Sequence, residues 1–204
     1  YVAIGQGAGN NVYGDANFAL GKDAGNNLGT AGSNAVFNNI SIGENANNGI
    51  QTSLNVAIGQ FAVATGGVGN SVAMGFTANA NGGSAVAIGN NSDAIGTATV
   101  AVGYRAGAGN NVVGTGGYNA IYGAESGQNV QGSNNTATGH RAGNGVSGSN
   151  NVAIGNNANS AGYYSNDAGT TWVSTGAAIV ANNTVAIGNS SAATKDGAIA
   201  LGYT

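Results

Sequence analysis

Along most of the chain, apolar and polar residues recur in one eight-residue phrase. Residues 151–158 read NVAIGNNA, and near copies stand at 55–62 (NVAIGQFA), 71–78 (SVAMGFTA), 85–92 (AVAIGNNS), 99–106 (TVAVGYRA) and 184–191 (TVAIGNSS). The glycine of the phrase falls at Gly59, Gly75, Gly89 and Gly103, an almost even spacing. Longer steps interrupt it, from Gly21 to Gly43, from Gly103 to Gly123 and, longest, from Gly155 to Gly188. A repeat of roughly 15 residues is too short for a helical hairpin or a strand-helix-strand crossover. It suits two short strands and two tight corners, which is one turn of a β-solenoid. The pattern therefore predicts an all-β chain, a single domain over 1–204, wound as a parallel β-roll of about 12 turns.

Side chains alternate across a strand, so Val152 and Ile154 share one face and Ala153 takes the other. The large pair is expected to fill the inside of the coil. The opposite face is small and apolar rather than polar, in a column that includes Ala57, Ala73, Ala87, Ala101, Ala153 and Ala186. A strand apolar on both faces is covered on both. The Ala column is therefore expected to meet other chains near the axis of an oligomer. The glycine suits a corner with positive φ, and Gly-Asn-Asn runs such as 9–11 and 25–27 suit the opposite corner.

The motif [NST]-V-A-I-G-x-x-[AS], repeated in register, resembles the head repeat of the trimeric autotransporter adhesins, the YadA-like family. The resemblance runs from Val2 to Thr204, with degenerate copies at 120–123 and 136–139. It implies a left-handed parallel β-roll, assembly as a homotrimer, and display on the outer membrane of a Gram-negative bacterium. It also implies attachment to a host extracellular-matrix protein, a cell surface or an abiotic surface. That family's heptad stalk and membrane anchor are not in this sequence, which places it as a head or part of one, without direct membrane contact of its own.

Composition narrows the alternatives. Charged residues make up 5% and Gly 39 of 204. Yet 42% of the chain is hydrophobic and falls on a regular grid, which argues for order against disorder. There is no Cys, hence no disulfide framework and no thiolate metal site. Absence of Pro is compatible with continuous ladders. A net charge of −3 offers no electrostatic footprint for nucleic acid. No apolar run is long enough to span a membrane as a helix.

Candidate chemistry is sparse. The single His, His140, stands beside Arg141 in a corner, and the seven carboxylates are scattered. No nucleophile elbow, phosphate loop or zinc-binding helix motif is present. No enzyme, cofactor or metal is expected. Interruptions are expected as loops at 28–37 and 112–118 and as a hairpin-like excursion at 160–180. That excursion holds Tyr163, Tyr164 and the only Trp, Trp172. These aromatics either hold the excursion against the roll or form a ligand-binding patch, since Tyr and Trp are favoured interface anchors. The second candidate surface is the two-residue corner after each glycine, with Phe61, Phe76, Tyr104 and Arg105. It is either a solvated edge or a contact strip multiplied by symmetry. Three functional classes stay open: an adhesin head, a structural spacer carrying a more distal module, and a phage-fibre or ice-binding solenoid. Scattered Thr positions argue against ice binding.

Overall fold

The computed structural model describes residues 1–29, 31, 35–65, 69–108, 116–161, 163–165, 172–174 and 179–202, with backbone alone at 163–165 and 172–174. Twelve three-residue strands, from Val2–Ile4 to Ile199–Leu201, pair in chain order into one parallel sheet. Each turn sits on the last without slip: Val152, Ala153 and Ile154 pair with Val185, Ala186 and Ile187. In the evenly spaced turns that begin at Gly59, Gly75 and Gly89, a second parallel wall forms from Val63–Ala64, Asn79–Ala80 and Asp93–Ala94. The chain is an all-β solenoid of about 11 turns, with no helix among the described residues.

Corner geometry follows from the phrase. The residue three after each glycine donates its N–H back to that glycine's carbonyl, as Ala78 does to Gly75 at 3.3 Å. The residue two after it is left-handed, Thr77 at φ 52° and Asn157 at φ 53°, as a type II turn requires. The glycine itself cannot be replaced. Gly139 has φ 128°, and a Cβ there would lie 2.5 Å from the carbonyl oxygen of Gly155 in the next turn.

The faces are the reverse of the sequence expectation. Ala57, Ala73, Ala87 and Ala101 are wholly buried inside the roll, opposite Ala64, Ala80 and Ala94 of the second wall. Val and Ile point outward. The reason is perimeter. The turn from Gly75 to Gly89 spends most of its length on two tight corners, and the short walls left between them enclose a lumen that methyl groups fill. Larger core residues appear only where turns are longer: Ile121, Val130 and Val146 are buried between Gly103 and Gly155, and Leu28, Val36 and Ile50 cluster in the early turns.

Leu28 and Val36 thus belong to the core, not to the surface loop expected at 28–37. The rest of that loop's centre, most of the loop at 112–118 and most of the excursion at 160–180 lie outside the described residues. Within the excursion, Tyr163–Ser165 and Trp172–Ser174 pair antiparallel, with Ser165 opposite Trp172.

Ser41 and Ile121 break the inner Ala column, and Ser41 brings a polar group into it. Ser41 is fully buried and its hydroxyl meets no partner. A buried polar group left unpaired costs about 1–3 kcal/mol. Ser41→Ala should therefore raise the denaturation midpoint by roughly 1 kcal/mol of stability. Ala87→Leu, in the narrowest part of the roll, should lower it by about 3 kcal/mol through overpacking. Chemical denaturation of the two variants beside the parent checks both signs.

Candidate functional site: the outward face and its corners

The strand that carries the outward face is held by a feature that the motif's apolar core hides. In the sheet, the residue before each strand from Phe18–Leu20 to Val185–Ile187 is buried, and where it is Asn its side-chain oxygen bonds to the next turn. Asn135 Oδ1 accepts from the backbone N–H of Asn151 at 3.0 Å, and Asn135 Nδ2 donates to Gly148 O at 2.9 Å. Asn119 Oδ1 serves Asn135 N–H in the same way, and Asn39 Oδ1 serves Asn55 N–H. Asn151 Oδ1 accepts from both Thr184 N–H and Thr184 Oγ1. This ladder satisfies backbone groups at a corner that cannot pair as a strand. Its signal in the sequence is the [NST] at the head of the motif, polar yet fixed in place from turn to turn.

From that ladder the first and third residues of every strand face out. The third-position column runs Ile4, Leu20, Ile42, Ile58, Met74, Ile88, Val102, Tyr122, Thr138, Ile154, Ile187 and Leu201 in continuous register. Its neighbour column is mostly Val, from Val2 to Val185. Ile154 is 39% exposed and Met74 38%. At about 4.8 Å per strand the strip is roughly 50 Å long and two side chains wide. Only the level of Thr136 and Thr138 puts hydroxyls in it, and a monomer seldom leaves so long an apolar surface in water.

The residues expected at a chain interface, Ala57, Ala73, Ala87, Ala101, Ala153 and Ala186, are therefore not on this surface. They line the roll's interior and can touch no other chain. A strand's alternation defines two faces, and the lumen selects the smaller one for the inside.

At the corner after the glycine, Phe61 and Phe76 meet edge to face, their ring centroids 6.3 Å apart, both exposed. The Arg105 guanidinium lies 5.0 Å over the Tyr104 ring. Tyr104 stands two turns from Phe76, so the two pairs are separate clusters on one column. Further along, Glu125 accepts from Arg141 Nε at 2.7 Å, with His140 Nε2 3.8 Å away. Near the start, Lys22 Nζ lies 3.4 Å from Glu44. The Tyr163, Tyr164 and Trp172 side chains lie outside the described residues. Among the described residues no group of three His, Asp or Glu side chains converges as a metal would require.

Residues 69–92 and 181–204 match the YadA head domain repeat. Two stretches of the chain are similar to YadA head repeats. Each matched stretch spans two of the Val-Ala-Met or Val-Ala-Ile type strands with the corners between them, Val72–Met74 with Val86–Ile88 and Val185–Ile187 with Ile199–Leu201. The turns between the two YadA head repeats keep the same register. No curated protein and no solved structure matches the chain.

Asn135→Ala would strip the acceptor from Asn151 N–H and the donor from Gly148 O, both at the inner corner of the ladder. It should cost about 2–3 kcal/mol. Tyr104→Ala, at the exposed corner, should change stability by less than about 0.5 kcal/mol. Equilibrium denaturation of the pair checks the contrast; equal shifts would place the ladder outside the stabilising core.

Proposed function

We propose that the chain is the head of a trimeric surface adhesin, three parallel copies packed through the Val/Ile strip. The observation that carries this reading is the strip itself: it is apolar at every level but that of Thr136 and Thr138 and uncovered in a single chain, and strands within it match YadA head repeats. A rod of parallel turns offers one such strip per copy, and rotation about an axis beside it buries all copies alike. The number three rests on the resemblance to the trimeric autotransporter adhesins. Covering the strip leaves the second wall, and the corner residues not used between copies, facing outward. Contacts there would be repeated around the axis, so weak single contacts with a matrix protein, a cell or an abiotic surface add through avidity. The family likeness supports a position for such a head at the outer surface of a Gram-negative bacterium.

Replacing Ile58 and Ile88 together by Asp puts charges on the strip without entering the roll. The parent chain should sediment as a trimer, and the double variant as a folded monomer with an unchanged β spectrum. Protein concentration is varied throughout, since assembly follows mass action. On immobilised collagen, fibronectin and laminin, the monomer should bind at least ten-fold more weakly than the trimer to whichever of them holds the parent. A parent that stays monomeric at all concentrations, or a monomeric variant that binds as tightly, overturns the reading.

A further inference from the structure

Two corner columns flank the Val/Ile strip. One follows each strand; the other precedes it, at residues such as Ala16, Leu54, Asn70, Ser84, Tyr118 and Asn150. Both climb by the same step. Leu54 N–H donates to Phe37 O and Phe61 N–H to Glu44 O, each one turn back at 2.9 Å. The left-handed positions of these columns are mostly Asn, Asp, Ser or Ala, with Thr77, Arg105, Glu125 and Arg141 as polar or charged exceptions. Leu54 (φ 61°), Phe61 (φ 58°) and Tyr118 (φ 62°) depart from this. A bulky residue with positive φ is strained. Their side chains gain no compensating burial in the single chain, where Leu54 is 51% and Tyr118 64% exposed.

We infer that these strained corner residues are the keys that set axial register between copies, Leu54 of one copy seating against the Phe61–Phe76 pair of the next. This rests on the proposed rotational assembly. In such a head-to-tail interface the column before the strand in one copy meets the column after the strand in its neighbour. The two columns are matched level by level. Leu54 and Phe61 flank the same strand, Val56–Ile58. Ala16 and Asp23 flank Phe18–Leu20, a small residue against a charged one. Polar Asn150 and Asn157 flank Val152–Ile154. Tyr118 stands at the level of Glu125, flanking Ala120–Tyr122. Over the strands from Val56–Ile58 to Val100–Val102 the strip is nearly uniform from turn to turn, and a uniform stretch lets copies slip by whole turns. Sparse bulky and charged corners at unequal spacings penalise every register but one.

The chain has no Cys, so paired Cys substitutions report this contact cleanly. Within one copy, positions 54 and 61 lie roughly 15 Å apart across the strand, too far for a disulfide. Leu54→Cys combined with Phe61→Cys or Phe76→Cys should give a covalently closed trimer on oxidation. Each single variant, and Leu54→Cys with Asn157→Cys, should give none. As a second measure, Leu54→Asn and Phe61→Asn relieve the strained corners. The double variant should stay folded, with at least a ten-fold weaker assembly. A trimer by sedimentation that forms no 54–61 or 54–76 cross-link, or one that tolerates the Asn pair, overturns the key while leaving the trimer standing. Loss of matrix binding by the Asn pair with assembly unchanged assigns these aromatics to a ligand instead. A chain that never assembles removes the proposed oligomer itself.

Discussion

The narrowness of the lumen governs the rest of the molecule. A turn as short as that from Gly75 to Gly89, with left-handed residues at both corners, leaves room inside for methyl groups and little else. Hydrophobic burial per residue is then small, since an Ala removes far less apolar area from water than a Val or Ile. Stability of the single roll must come largely from its hydrogen-bond lattice: the strand ladders, the stacked glycine corners and the Asn135–Asn151 type of bond between turns. The large apolar side chains that a globular domain would enclose are displaced to the outside, where only another chain can cover them. Fold and assembly are in this way coupled by one geometric limit.

Most of the architecture was legible in the residues. Spacing of the phrase implied a parallel stack, and a glycine suited to positive φ, with Gly-Asn-Asn runs opposite, implied the corners, because few residue types occupy such backbone. What could not be read was which face turns inward. The alternation in Val152-Ala153-Ile154 separates two faces but assigns neither. The habit of placing large hydrophobic residues inside holds for sheets that pack about 10 Å apart, and not for a tube this thin. Asn135 and its equivalents were missed for a related reason. A polar residue beside a corner reads as a solvated turn, whereas here its amide substitutes for backbone pairing in the interior.

The candidate site was legible in part. Phe61 with Phe76 and Tyr104 with Arg105 do form pairs at exposed corners, as positions that vary while the motif around them is constant. Their relation to assembly was invisible without the faces. Once the Val/Ile strip is outward, the same corners become the margins of a seam. Leu54 and Tyr118, unremarkable in sequence, then stand out because bulky side chains hold left-handed backbone there without burial.

Met74 tests the central claim most directly. It is the only methionine of the chain and sits mid-strip, 38% exposed in one copy. Oxidation by dilute peroxide follows the exposure of the thioether. The native parent should oxidise at Met74 at least ten-fold more slowly than the denatured chain. In the folded monomer made by the Ile58→Asp, Ile88→Asp pair, the rate should return close to the denatured value. An interior thioether would stay protected in that monomer, and a strip left bare in the parent would never be protected; either result contradicts an inside-out roll sealed by its own copies.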